Sequence, residues 1–86
     1  TIHSAVHEAR EDANSVLHLH TDAGVAVSMM EGGLQAYSQN SLIPYIMMSY
    51  HNYEGLALNE SEKARLVKDL GNKNCMILKN HGTMTI

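Results

Sequence analysis

The sequence predicts an α/β domain in which helices cover a small sheet, and three observations carry that reading. Apolar residues recur at helical spacing in two stretches: Ile2, Ala5, Val6 and Ala9, then Leu66, Val67 and Leu70. Short uncharged runs of strand length appear at Val16-Leu17-His18-Leu19 and Cys75-Met76-Ile77-Leu78. In chain order the pattern is helix, strand, helix, connector with a further strand, helix, strand, strand, as a layered α/β architecture requires.

The first helix starts at Ile2 and gives way at the polar run Glu11-Asp12-Ala13-Asn14. His3 and His7 lie four apart on it, off the apolar stripe, and read as a wet helix face because no third ligand is close in sequence. A strand follows over 15–20. Its period of two puts His18 and His20 on one face and Leu17 and Leu19 on the other, toward a core. Thr21 or Asp22 can cap a helix over 23–30, largely buried through the pairs Val25/Met29 and Ala26/Met30 and closed by Gly32-Gly33. The free amides at its start would favour a negative ligand beside the histidines.

Residues 34–44, rich in Ser, Gln and Asn and ending in the single Pro44, read as a connector. A strand is expected over 46–50. Tyr37, Tyr45, Tyr50 and Tyr53 are expected to pack structurally. Asn59-Glu60-Ser61-Glu62 has the form of a capping box, and its helix runs to Leu70 with Gly71 as the stop. Cys75 to Leu78 is apolar without interruption, the pattern of a central strand covered on both faces. Asn80-His81-Gly82 interrupts it before a last strand over 83–86. Gly82 would admit a bulge or another backbone beside His81.

The 86 residues amount to one domain at most, with a net charge of -3 from six basic and nine acidic side chains. No dense basic run points to nucleic acid. Cys75 has no second cysteine to pair with, which fits a reducing, cytoplasmic compartment. No apolar run approaches the ~20 residues of a membrane span, and no signal peptide is visible. The chain opens at Thr1 with a helical pattern already running, and it closes on a strand pattern with no turn. Residues 1–86 are therefore read as an internal segment of a longer domain.

The chemistry rests on histidine. His18 and His20 on one strand face, with His81 from another strand, give three imidazoles, and catalytic zinc typically takes three protein ligands and keeps an open position. The other reading is that His18 and His20 hydrogen-bond neighbouring chain and His81 sits at a turn. His51, among Tyr50, Asn52 and Tyr53, reads as a hydrogen-bonding residue rather than a ligand.

The stretch from Ala9 through Thr21, followed by Ala26-Val27-Ser28, resembles the central segment of the class II aldolase/adducin family. So does Ile77-Leu78-Lys79-Asn80-His81-Gly82. The resemblance spans essentially the whole chain. It departs at Glu11, where the family usually has proline, which affects a turn and not the site. It implies a three-layer α/β/α sandwich of the class II aldolase type, present here as a partial segment, with His18, His20 and His81 holding Zn²⁺. In the family's sugar-phosphate aldolases the metal polarises a substrate oxygen and stabilises an enediolate as a C–C bond breaks. The general acid/base carboxylate would fall upstream of Thr1 and a catalytic tyrosine downstream, so no catalytic residue is carried over. A homo-oligomer, a tetramer in many members, is also implied.

The expected function is a zinc-dependent lyase acting on a small sugar phosphate or hydroxy-carbonyl compound. Tyr50-His51-Asn52-Tyr53-Glu54-Gly55 looks more like the adducin branch, so the alternative is a non-catalytic oligomerisation or scaffold domain. An α/β module with a structural metal or none is a third reading. An acidic residue just before Thr1 would favour the enzyme. An epimerase is disfavoured, because 34–45 contains neither Asp nor Glu.

Overall fold

The computed structural model describes residues 2–52 and 60–86. Eight elements follow in order: α1 (Ile2–Ala9), β1 (Leu17–Leu19), α2 (Asp22–Ser28), α3 (Gln39–Ile46), β2 (Met48–His51), α4 (Glu60–Leu70), β3 (Cys75–Leu78) and β4 (Gly82–Thr85). The four strands form one sheet in the order β1-β4-β3-β2, with β2 parallel to β3 and the other two pairs antiparallel.

α1 and α4 cover one face. Met76, Leu78 and Met84 point up from the sheet into Val6, Leu66 and Leu70, and each of the six is 3% exposed or less. Ile77 points the other way and is equally buried, at 2%. β3 is thus the central, doubly covered strand the sequence predicts. On Ile77's side, α2 lies across β4: a Cβ on Gly24 would come 3.0 Å from Thr83 Cγ2. Pro44 of α3 joins Ala23, Gly24 and Val27 of α2 around an apolar cavity of about 310 Å³ over Ile77. The result is helix, sheet, helix: the three-layer arrangement.

The edge strand β1 corrects one expectation. Leu17 and Leu19 are 54% and 42% exposed, not packed into a core. Among the described residues β1 is hydrogen-bonded on one side only, and α2 sits over β4 and leaves the leucine side of β1 uncovered. α2 is also shorter and less buried than expected. It stops at Ser28, where the hydroxyl donates to the Val25 carbonyl at 2.6 Å and the next amides tighten onto acceptors three residues back. Met29 and Met30 are left 64% and 53% exposed, and Gly33, at φ 63°, closes the following turn.

The expected connector holds a helix. Ser38 and Ser41 cap α3 reciprocally: each hydroxyl accepts the other's backbone N–H at 3.2 Å. Pro44 sits inside it, at the cost of the bond its missing amide would make to the carbonyl four residues back. Ile46 belongs to this helix, so β2 begins two residues later than expected. Of the tyrosines, Tyr50 does pack, its hydroxyl accepting from the Leu34 amide at 3.2 Å. Tyr37 and Tyr45 are exposed, and Tyr53 lies outside the described residues, as does Asn59 of the expected capping box. Gly71 ends α4 at φ 54°, as expected.

Arg10 locks the ends of this framework. Its guanidinium grips Asp12 through two bonds of 2.8 and 2.7 Å and donates to the Gly71 and Lys73 carbonyls at 3.0 and 2.7 Å. That fastens the end of α1 to the turn leaving α4. The hydrogen bond to Arg10 holds the Asp12 carboxyl below its ordinary pKa. Arg10→Ala is expected to lower stability by about 0.5–1.5 kcal/mol, the net worth of the part-buried bond to the Lys73 carbonyl, since water can take over at the exposed partners. Urea unfolding should show a lower midpoint at unchanged slope.

Candidate metal centre

The antiparallel pairing of β1 with β4 is what creates the site. Leu19 pairs with Thr83 and His18 with Met84, so the end of β1 meets the start of β4. His20 leaves β1 at that rim, and His81 enters β4 there. A tight turn aims His81. Its N–H donates to the Leu78 carbonyl at 3.0 Å, and Asn80 before it takes a left-handed φ of 59°, which asparagine tolerates better than most residues. Asn80 is fixed in turn by its own N–H, which donates to the Ser28 carbonyl at 2.9 Å.

Gly82 makes the approach possible. A Cβ there would overlap the Leu19 carbonyl oxygen and stand 3.0 Å from His20 Cδ2. The close backbone approach expected beside His81 is therefore present, and its partner is β1.

His18, His20 and His81 are brought together. Each offers a ring nitrogen, and the three atoms lie within 4.8 Å of one another. The ring centroids are 4.7 to 4.9 Å apart. His18 Nδ1–H donates to the Thr83 carbonyl at 2.9 Å, which leaves the Nε2 lone pair facing His20 Nε2 at 3.0 Å. Two ligand nitrogens around tetrahedral zinc stand about 3.3 Å apart for bonds of ~2.0–2.1 Å, so this pair needs little adjustment to share an ion. Burial holds the His81 pKa below 6.5, and the neighbouring His18 and His20 add to the shift, while Glu62 opposes it. His81 is therefore neutral at neutral pH, the form a metal takes. Three imidazoles are a donor set that fits zinc, and they leave one tetrahedral position for a further ligand. No other group of three potential ligands converges in this way among the described residues.

The remaining histidines are placed elsewhere. His7 Nδ1–H donates to the Ala13 carbonyl at 3.0 Å, and both His3 and His7 lie on the exposed side of α1. His51 makes the hydrogen bond expected of it, Nδ1–H donating to Asp69 Oδ2 at 2.7 Å. The anion-binding role expected for the start of α2 is weakened. Thr21 Oγ1 takes the Gly24 amide, and Asp22 places its own carboxylate in the first turn. Sequence reasoning missed that Glu62 is buried, at 7% exposed, with Oε1 3.7 Å from His51 Nε2. The signal was there: Glu62, Leu66 and Leu70 share one helical stripe.

A three-layer α/β/α domain with a histidine triad where an edge strand meets its neighbour is the class of protein that fold and site define. The chain belongs to the class II aldolase and adducin N-terminal domain family, whose model matches residues 1–86. Among solved structures, an aldolase II superfamily protein from Pseudomonas syringae superposes with a TM-score of 0.94 at 54% identity, covering 98% of this chain and 34% of that one. The L-fuculose 1-phosphate aldolase from Glaciozyma antarctica superposes with a TM-score of 0.76 at 30% identity, covering 98% and 30%. The alpha-adducin of Rattus norvegicus is 42% identical over 87 residues, which is all of this chain and 12% of the adducin. The chain spans 34% of a Caulobacter vibrioides relative to which it is 56% identical. No helix among the described residues is long and apolar enough to cross a membrane.

Proposed function

We propose that residues 1–86 are the metal-holding part of a zinc-dependent class II aldolase that makes or breaks a C–C bond in a small sugar phosphate or hydroxy-carbonyl compound. The observation that carries this reading is the triad: three imidazole nitrogens within 4.8 Å, one of them fixed in tautomer by the Thr83 carbonyl. Zinc, when bound, supplies Lewis-acid stabilisation of negative charge developing on a substrate oxygen.

The chain's own residues do the positioning. Thr83 sets the His18 ring, the Leu78–His81 turn sets His81, and Gly82 lets β1 and β4 close on each other. The proton-transferring carboxylate is expected upstream of Thr1. A cytoplasmic homo-oligomer with a small-molecule substrate completes the proposal. The likeness to an L-fuculose 1-phosphate aldolase supports a sugar phosphate as the first substrate class to try. The alpha-adducin relative supports a second reading, a domain that keeps the fold for assembly without turnover.

The test is an aldol-cleavage assay on the full-length protein over a panel of sugar phosphates. Activity should vanish on chelation, return with zinc and be absent from His20→Ala. Equal cleavage by both proteins would sink the mechanism, and none by the zinc-loaded wild type would leave the assembly reading.

A further inference from the structure

The face of the sheet away from the triad carries a cavity that the proposed reaction does not use. Paired residues of neighbouring strands project to the same face. His18 pairs with Met84 and so lies on the side of α1 and α4. Met48 and Tyr50 pair with Cys75 and Ile77 and so lie on the side of α2 and α3. There β2, α3 and the segment that follows α2 bound a cavity of about 570 Å³, within the ~300–1,000 Å³ usual for small-molecule sites. None of the three histidines lines it.

Two features of the lining select a ligand. The first is an apolar and aromatic floor, built from Tyr45, Ile46, Met48 and Tyr50. Tyr50 is held in place: its hydroxyl accepts from the Leu34 N–H at 3.2 Å, and it lies so close to Gly33 that a Cβ there would stand 2.6 Å from the hydroxyl oxygen. The second feature is charge. Lys73 and Lys79, both half-buried, line the cavity against a single carboxylate, Glu31. Among the described residues neither ammonium pairs with a carboxylate, and Lys73 Nζ donates to the Ile46 carbonyl at 3.3 Å. The backbone of Lys79 is fixed by its own N–H, which donates to the His51 carbonyl at 2.8 Å. A half-buried ammonium with no counter-charge favours an anion beside it, and a hydrogen bond between the two is of the strong, charge-assisted kind.

We propose that this cavity is a second binding site, on the face of the sheet opposite the triad, for a small organic anion with an apolar body. The acid group, a carboxylate or a phosphate, sits between Lys79 and Lys73, and the body lies on Tyr45 and Tyr50. The site is independent of the metal and stands whether or not the triad binds zinc.

The test is a fluorescence titration of the full-length protein with anilinonaphthalene sulfonate, an aromatic anion that brightens on leaving water, with phenyl phosphate, benzoate and benzyl alcohol as competitors. Saturable binding is expected, unchanged when metal is chelated. Phenyl phosphate and benzoate should displace the dye, and the stronger of them identifies the acid group. Benzyl alcohol, with the aromatic body and no charge, should not. Lys79→Met keeps the stem and removes the ammonium. It should weaken dye binding by about tenfold, the loss of one charge-assisted hydrogen bond. Lys73→Met should weaken it by less, because the Ile46 carbonyl already shares that ammonium. Lys68→Ala, on α4 and outside the cavity lining, should bind as the wild type does. No saturable binding, wild-type affinity in both methionine variants, or displacement by benzyl alcohol as strong as by the anions would overturn the site. Loss of binding on chelation would overturn it too, by placing the dye at the triad. Should Lys79→Met not fold, Lys73→Met decides: weakened binding supports the site, and wild-type binding ends it.

Discussion

His81→Ala is expected to weaken zinc binding by at least about a hundredfold, more than the ~10–100-fold typical of changes outside the ligand shell. The reason lies in where the ligands come from. His18 and His20 sit two residues apart and travel together, so what remains after the substitution is a two-nitrogen chelate open to water on one side. His81 comes from a turn more than sixty residues further on and closes that side.

The loss is also a loss of stability. Zinc at a thousand times its dissociation constant stabilises the folded state by about 4 kcal/mol, and a hundredfold weaker site at the same concentration gives about 1.4 kcal/mol. Without metal the variant should melt near the wild type. The turn keeps its backbone bond from residue 81 to Leu78, and removing one of three crowded imidazoles relieves a site that already disfavours charge on His81. The measurement is a thermal melt of the full-length protein with and without zinc. A zinc-induced rise in His81→Ala as large as in the wild type would remove His81 from the site.

The triad was legible in the sequence because its two halves obey local rules. Alternation on a strand pairs His18 with His20, and a glycine after His81 signals a close approach. What joins the halves, the pairing of β1 with β4, is a contact between chain ends that no local pattern encodes. Leu17 and Leu19 show the same limit. An apolar alternation says that one face of a strand is suited to burial, but whether a layer covers that face depends on the sheet order. That order puts β1 at the edge with its leucines bare.

α3 was hidden for a different reason. Ser38 and Ser41 are turn formers by composition and become a reciprocal cap only when the following residues are helical, which Pro44 argues against. The spacing of Asn59 and Glu62 reads as a capping box, whose Asn59 half lies outside the described residues; the place of Glu62 on the stripe of Leu66 and Leu70 points inward as well, and the structure has it buried.

Gly82→Ala is expected to damage fold and site together. Most added methyl groups meet a side chain that can rotate away. Here the obstacle on one side is the Leu19 carbonyl, part of the backbone of β1, and on the other the His20 ring. The strand can make room only by moving off β4. That strains the Leu19–Thr83 and His18–Met84 pairs and the Thr83 carbonyl that sets the His18 tautomer. Overpacking of this kind costs about 1–3 kcal/mol. Zinc affinity should fall by about tenfold or more, because His18 and His20 are carried away from His81.

Gly71→Ala is the control. Its backbone φ of 54° penalises a side chain by roughly 1–2 kcal/mol, yet the space around it is open, the nearest contact being the Lys68 carbonyl at 3.9 Å. The two variants should therefore lose comparable stability in urea, while only Gly82→Ala loses affinity for zinc. If both kept wild-type affinity, the close approach of β1 to β4 at Gly82 would not be what holds the three histidines together.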